Sequence, residues 1–178
     1  MAGFSWIVTI LSKKGLFLPD AYFLSSGNLN FSQNLLISPV NMKFPEKTTV
    51  QSYTITIVPR YCETDQAGVI HHSVFPIYFE LGRTELLRAN GLAYKDLERE
   101  GFYMVVAELF VKYRRPAYYD EKLELITECT KVSAAKIEHS YKLIRPETGL
   151  LLAEGTSILA CVDDNGKPKR VPEFMYPG

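Results

Sequence analysis

The 178-residue chain lacks the features on which several classes of protein depend. Its three cysteines, Cys62, Cys129 and Cys161, form no Cys-x-x-Cys pair and cannot all pair with one another, which favours a reduced, intracellular protein. Neither sign of charge is in excess, because 20 basic residues balance 20 acidic ones. A basic excess is normal for nucleic-acid binding, and a basic run for binding to an anionic membrane surface. We therefore expect neither a nucleic-acid partner nor stable membrane insertion.

Charge is scarcest in residues 1–41, which carry only 3 of the chain's 40 charged side chains and no arginine. The apolar run in this segment, residues 3–11, is far shorter than the ~20 residues that span a bilayer. The segment also lacks the positive start of a secretory signal peptide. We expect a poorly ordered extension with Met42 as the functional start, followed by one domain over residues 42–178. A targeting segment and a partner-binding arm remain alternatives.

The residue pattern of the rest of the chain predicts strands and two helices. Tyr53, Ile55 and Ile57 alternate with other residues in the pattern of a half-buried strand. Helical spacing follows over residues 74–90, which end at an Asn-Gly pair, and a shorter helix is predicted over residues 94–100. The first helix has Ser73 as a candidate N-cap, and we expect its mid-helix Gly82 to allow close packing against a sheet.

Four more strands are predicted over residues 103–113, 123–131, 136–145 and 150–162, and we expect them to be antiparallel neighbours in a meander. The economical architecture is α+β, with one long central helix wrapped by a five-stranded antiparallel sheet. A single sheet with one helix leaves apolar edge and face uncovered, so we expect self-association.

The segment that points to chemistry lies between the first strand and the long helix, at residues 60–72. Asp65-Gln66-Ala67-Gly68 has the composition of a turn, and Gly68 lets the backbone approach another chain or a ligand. The helix begins just after His72, where unpaired N–H groups and the positive end of the helix dipole suit an oxyanion or a polarised carbonyl. A carboxylate at Asp65 facing that carbonyl would be the arrangement that acyl transfer requires.

These residues resemble a known signature. Tyr61-x-Glu-Thr-Asp65-x-Ala-Gly-Val-Ile-His-His72, followed by Tyr78-Phe-Glu80-x-x-Arg83, is similar to the motif of hotdog-fold acyl-CoA thioesterases. The similarity is to the branch that contains 4-hydroxybenzoyl-CoA thioesterase and the bacterial YbgC-type enzymes. It covers roughly residues 51–162, and it implies a hotdog fold and hydrolysis of an acyl-CoA thioester to free acid and CoA.

The resemblance also implies roles for individual residues. Asp65 would be the catalytic carboxylate, acting as nucleophile or as general base. His72 would polarise the thioester carbonyl through its backbone N–H, and Tyr61 would also contribute to activity. Residues implied to contact the substrate are Gly68, Val69, His71 and Glu80. The family often has Asp where this chain has Glu63, so Glu63 is a rival carboxylate that would point the same way as Asp65 if the segment were extended. No metal or separate cofactor is implied, since coenzyme A is part of the substrate.

Each candidate also has a purely structural interpretation. Asp65 would serve as an Asx-turn residue, His72 as a turn histidine, and Glu80 with Arg83 as a surface ion pair on the helix. His139 is expected to be structural. Basic residues that would meet CoA phosphates, or simply face solvent, are Arg114, Arg115, Lys131 and Lys136.

The resemblance further implies a cytoplasmic homodimer or dimer-of-dimers tetramer with its active sites at subunit interfaces. Hydrolysis of acyl-carrier-protein thioesters, non-catalytic binding of acyl-CoA, and a hydratase or dehydratase on the same fold remain alternatives. Aromatic residues near the expected pocket make an aromatic or medium-chain acyl group possible; they include Tyr103, Phe110, Tyr113, Tyr118 and Tyr119.

Overall fold

A computed structural model describes residues 44–178, so the expectations for residues 1–41 and for Met42 lie outside the described residues. The strands are β1 (Ser52–Ile57), β2 (Tyr103–Tyr113), β3 (Leu123–Val132), β4 (Lys136–Arg145) and β5 (Leu150–Val162), and the helices are α1 (Val74–Ala89) and α2 (Tyr94–Arg99). The predicted α+β architecture is confirmed: the five strands form one antiparallel sheet, and α1 packs across it. Within residues 44–178, neither helix is long and apolar enough to cross a membrane.

The order of the strands corrects one expectation. The sheet runs β1-β3-β4-β5-β2, so the meander is limited to β3, β4 and β5, and β2 pairs with β5 instead of β3. The connection from β2 to β3 does not turn back as a hairpin, because part of it pairs with the loop that precedes α1. Val69 bridges to Tyr118, and the Ile70 N–H donates to the Ala117 carbonyl at 2.8 Å. Both β1 and β2 are therefore edge strands.

The long helix lies against the inner face of the sheet through its small and aromatic residues. Phe79 is fully buried and stacks on Tyr141 of β4, with ring centroids 4.4 Å apart. One turn later Gly82 meets β3 so closely that a Cβ at this position would lie 2.2 Å from Thr127 Oγ1 and 2.7 Å from Leu125 Cδ2. The expectation that Gly82 allows close packing is confirmed. Because α1 is seated here, the position of its N-terminus over the sheet is set as well.

We expect Gly82→Ala to destabilise the fold. Alanine is favoured over glycine in a helix by about 1 kcal/mol, but overpacking a filled core costs roughly 1–3 kcal/mol. The free energy of unfolding, measured by urea denaturation, should fall, and adding Thr127→Ala should restore part of it by removing the clashing Oγ1. A Gly82→Ala protein as stable as the wild type would show that the helix can shift away from the sheet without cost.

Candidate functional site

The loop between β1 and α1 folds around an Asx turn. Asp65 Oδ1 accepts the Ala67 N–H at 2.8 Å, and the Asp65 carbonyl accepts the Gly68 N–H at 3.0 Å. Gly68 has φ +75°, a left-handed conformation that favours glycine. The Asp65 N–H donates to the Val69 carbonyl at 2.9 Å, which closes the turn. The turn fixes the half-buried Asp65 carboxylate through one of its two oxygens.

The end of β2 holds the start of α1 in place. The Tyr113 hydroxyl donates to the His72 carbonyl at 3.0 Å, and the Tyr113 ring packs edge-on against Phe75 with centroids 5.1 Å apart. Ser73 does not cap the helix as expected, because its hydroxyl lies 2.7 Å from His71 Nδ1. The N-terminus of α1 therefore has no side-chain cap among the described residues.

A surface groove of about 340 Å³ lies between the Asx turn, the start of α1 and the segment after β2; we call it the Asp65 groove. It is lined by Asp65, Val69, Ile70, His72, Phe75, Tyr113, Arg114, Arg115, Pro116 and Ala117. Three of the residues predicted for the site, Asp65, Val69 and His72, thus share one groove. The hydrogen bonds among residues 44–178 leave the His72 N–H without an acceptor. This arrangement can place a carboxylate and a free N–H donor around one polarised carbonyl.

The other predicted residues lie outside the groove lining. Gly68 shapes the adjoining turn, and His71 is occupied with Ser73. Tyr61 is 77% exposed, with its ring against the edge of Tyr119 at 5.7 Å. Glu80 is on the exposed side of α1 and accepts a bond from Arg83 at 3.0 Å, the expected i,i+3 ion pair.

Basic side chains form one wall of the Asp65 groove. Arg114 pairs with Glu154 of β5 at 2.5 Å, whereas the Arg115 side chain donates, among the described residues, only to the Arg114 carbonyl, at 3.1 Å. Arg115 is exposed and has no carboxylate partner among the described residues, so it can meet an anion from solvent. Lys131, by contrast, lies 3.9 Å from Glu138, away from the groove lining.

Glu63 does not point the same way as Asp65, because the segment is not extended. Residues Tyr61–Glu63 form a 3-10 turn that buries the Glu63 carboxylate. It accepts the Arg60 N–H at 2.7 Å, the Arg60 guanidinium at 2.7 and 3.0 Å, and the Tyr78 hydroxyl at 2.8 Å. Burial raises the pKa of Glu63, but these hydrogen bonds outweigh it and hold the pKa below its usual value. Glu63 instead lines a separate groove between β1 and α1.

Two parts of the groove were not singled out from the sequence. Phe75 forms part of its floor, and the only signal was its place in the first turn of the predicted helix. Tyr113 was noted only as one of several aromatics, and its bond to His72 spans 41 positions of sequence, which no local pattern reports. No group of three His, Cys, Asp or Glu residues within 44–178 is placed to hold a metal ion.

We expect Glu63→Gln to reduce stability, because it removes the charge from a buried carboxylate with several donors. The loss of unfolding free energy should be about 1–3 kcal/mol at pH 7. Since folding lowers the pKa of Glu63, its contribution is present above the usual carboxyl pKa and is lost as the pH falls through the folded value. Urea denaturation of both proteins between pH 7 and pH 3 measures this, and the two should converge at the acid end. Tyr78→Phe, which removes one donor, is the milder control, and a pH-independent gap would contradict the assignment.

Comparison with known proteins places this geometry in a family. Residues 59–177 match the model of the Thioesterase-like superfamily. The Escherichia coli O6:H1 acyl-CoA thioester hydrolase YbgC is 32% identical over 116 residues, 65% of this chain and 86% of that protein. The Haemophilus influenzae acyl-CoA thioesterase YbgC is 36% identical over 112 residues, 62% of this chain and 80% of that protein.

A solved structure gives the same result for the fold. The DHNA-CoA thioesterase from Staphylococcus aureus superposes with a TM-score of 0.64 at 32% identity, covering 67% of this chain and 80% of that one. The hotdog fold predicted from the motif is confirmed. The family match includes the whole of the Asp65 groove and extends over more than half of the sequence. This chain belongs to the Thioesterase-like superfamily.

Proposed function

We propose that this protein is an acyl-CoA thioesterase that hydrolyses the thioester in the Asp65 groove to free acid and CoA. The observation that carries the proposal is that one groove combines the Asp65 carboxylate with the uncapped N-terminus of α1 at His72. The acyl-CoA thioesterases and hydrolases among its relatives support the choice of substrate class. A fatty or an aromatic acyl group is compatible with a lining that includes Phe75 and Tyr113.

In the proposed reaction, the thioester carbonyl oxygen accepts the His72 N–H, which stabilises the negative charge that develops there. The Asp65 oxygen not held by Ala67 then acts in one of two ways. As a nucleophile it forms a mixed anhydride as the C–S bond breaks, and water cleaves the anhydride to regenerate the carboxylate. As a general base it removes a proton from water, which attacks the carbonyl and displaces the CoA thiolate.

The basic wall suits the rest of the substrate. Arg115, exposed and without a carboxylate partner in the described chain, would bind a CoA phosphate at the groove entrance. No separate cofactor is part of the proposal. Tyr61 lies outside this groove in one subunit, so its role in the reaction would require a neighbouring subunit to bring it close.

We also propose that the protein works as a homodimer joined through β2, with a tetramer as the larger option. This 11-residue edge strand exposes large apolar side chains, among them Phe110 at 59% and Val106 at 45%. A long, apolar strand edge is a ready template for another strand. Tyr113 belongs both to this strand and to the Asp65 groove, so the partner subunit would lie beside the site.

We expect Asp65→Asn to reduce turnover by orders of magnitude while the protein stays folded. The amide keeps an oxygen for the Ala67 N–H but is a poor nucleophile and base, so kcat should fall by about 10²–10⁴-fold. Thiol release from short, long and aromatic acyl-CoAs measures this, with acyl-carrier-protein thioesters and enoyl-CoA as further substrates. Glu63→Gln is the matched control and should retain most of the turnover.

Other results of this experiment would favour other functions. Binding of acyl-CoA without hydrolysis by the wild type would indicate a sensor, and addition of water to the double bond of enoyl-CoA without release of thiol would indicate a hydratase. Preference for the carrier-protein thioester would change the substrate class. Hydrolysis that survives Asp65→Asn but is lost in Glu63→Gln would transfer the catalytic role to Glu63.

We expect Phe110→Glu to convert the dimer to a monomer and to reduce activity. A charge at this exposed position would be buried without a partner between two β2 strands, at a high cost. Size-exclusion chromatography with light scattering gives the mass. The control is Leu81→Glu on the exposed face of α1, where the side chain is 45% exposed and lines a different groove. A Phe110→Glu protein that remains dimeric would place the interface elsewhere.

A further inference from the structure

Three exposed tyrosines lie together beside the Asp65 groove, outside its lining. Tyr61, Tyr118 and Tyr119 are between 45% and 77% exposed, and we call them the tyrosine platform. The rings of Tyr61 and Tyr119 are perpendicular, with centroids 5.7 Å apart. In such a pair each ring keeps at least one face that the other ring does not cover. Large aromatic side chains usually bury most of their area, so a cluster exposed to this extent indicates a binding surface.

The loop that carries two of these tyrosines is anchored at several points. Tyr118 bridges to Val69 at the groove, and its N–H donates to the Glu121 carboxylate at 3.2 Å. The Asp120 N–H donates to the Pro59 carbonyl at 3.1 Å, and Asp120 has φ +62°, in the left-handed region that few residues other than glycine adopt. The tyrosine platform is therefore preorganised, and a ligand would bind there without the free-energy cost of ordering a loop.

The tyrosine platform is close to the basic wall of the Asp65 groove. Arg115 and Tyr119 are four residues apart, so their Cα atoms are separated by at most about 14 Å. Arg115 is exposed and has no carboxylate partner within residues 44–178. Asp120, next to Tyr119, carries an exposed carboxylate, which can accept a hydrogen bond from an amino group. The matching ligand would combine a flat aromatic ring system, an amino donor and anionic groups.

We propose that the tyrosine platform binds the adenine ring of the coenzyme A substrate, stacked on Tyr119, while Arg115 binds a phosphate of the same nucleotide. This proposal rests on acyl-CoA being the substrate of the Asp65 groove. A purine stacks on an aromatic side chain, and the exocyclic amino group of adenine is a donor that suits Asp120. A phosphate is the anion that a guanidinium binds best. The nucleotide would then stay on the surface while the acyl group enters the groove.

The first test uses adenosine 3′,5′-bisphosphate, the nucleotide end of coenzyme A, because it has no thioester and its binding needs no turnover. Isothermal titration calorimetry gives the Kd. Tyr119→Ala should raise this Kd by about 5- to 30-fold, because stacking on one aromatic ring has an effect of that size. Tyr119→Phe keeps the ring and should restore the affinity of the wild type. Tyr53→Ala is the matched control, because Tyr53 is an exposed tyrosine that lines the groove between β1 and α1.

The second test asks whether the bound nucleotide belongs to the substrate. The kcat/KM for an acyl-CoA is divided by the kcat/KM for the same acyl group on pantetheine, which lacks the nucleotide. Tyr119→Ala should lower this ratio by about the same factor by which it raises the Kd, and the loss should be in KM, since stacking is equal in the ground state and the transition state. A merely structural role for Tyr119 would reduce activity on both substrates and leave the ratio unchanged.

A measurement on the wild type decides the matter if Tyr119→Ala does not fold. The NMR signals of the Tyr119 ring protons should move upfield when the bisphosphate is added, because the stacked base lies over them. No binding of the bisphosphate, equal Kd values for the wild type and Tyr119→Ala, or no shift of the Tyr119 ring would overturn the proposal and leave the tyrosine platform to contacts between subunits.

Two further outcomes are distinguishable. A higher Kd for the bisphosphate in Tyr119→Ala with an unchanged substrate ratio would overturn the assignment to the substrate and indicate a site for a free nucleotide. Hydrolysis of the thioester is measured separately by thiol release. Failure of the tyrosine platform to bind the nucleotide would therefore not be confused with failure of the Asp65 groove to hydrolyse acyl-CoA.

Discussion

The contact of Gly82 with β3 is the constraint on which the rest of the domain depends. Thr127 and Leu125 leave no room for a side chain on the helix at this point, so α1 lies as close to the sheet as a helix backbone can. Phe79 on the preceding turn stacks on Tyr141 and fixes the rotation of the helix about its axis. This placement brings the N-terminus of α1 to the end of β2, where the Tyr113 hydroxyl donates to the His72 carbonyl. The candidate site is thus positioned by a packing contact more than two helical turns away.

The two carboxylates of the loop before α1 illustrate how position in a turn decides a side chain's role. The 3-10 turn buries Glu63, and both of its carboxylate oxygens accept hydrogen bonds, from Arg60 and from Tyr78. Asp65, two residues later, uses one oxygen in the Asx turn and remains half-buried at a groove. A carboxylate saturated with donors is a poor base or nucleophile, because its lone pairs are already engaged. The same loop therefore separates a structural acid from one available for chemistry.

The sequence predicted the elements better than their pairing. The bounds of β2, β4 and β5 match the prediction because alternation and turn residues are local signals. The position of β2 beside β5 was missed, since the choice between neighbours depends on contacts distant in sequence. The motif named Asp65, Val69 and His72 as site residues, and all three line one groove. A shared direction of Glu63 and Asp65 required an extended segment, and a three-residue 3-10 turn interrupts that segment.

The cavity of about 40 Å³ under the C-terminal half of α1, lined by Arg83 and His139 among others, had no comparable signal in the sequence. Arg83 and His139 are 56 positions apart, and each has an ordinary reading by itself, as a helix-surface cation and as a polar residue in a strand. Only the register of β4 against its neighbours and the seating of α1 bring them to one space. In a sequence, such a cavity is indicated only by polar residues at positions that face inward. Those positions can be identified only when the fold is known.

The hydroxyl of Tyr113 joins two parts of the molecule that are usually considered apart. The residue ends the strand with the exposed apolar edge, and it also holds the carbonyl of His72 at the groove. Any displacement of that strand is transmitted to the helix start through this hydrogen bond and through the contact of the Tyr113 ring with Phe75. Substitutions along β2 are consequently subject to two constraints. They must preserve the contacts of the strand edge, and they must preserve the shape of the groove at the end of the strand. Variation in this strand among related proteins should therefore change association and substrate preference together.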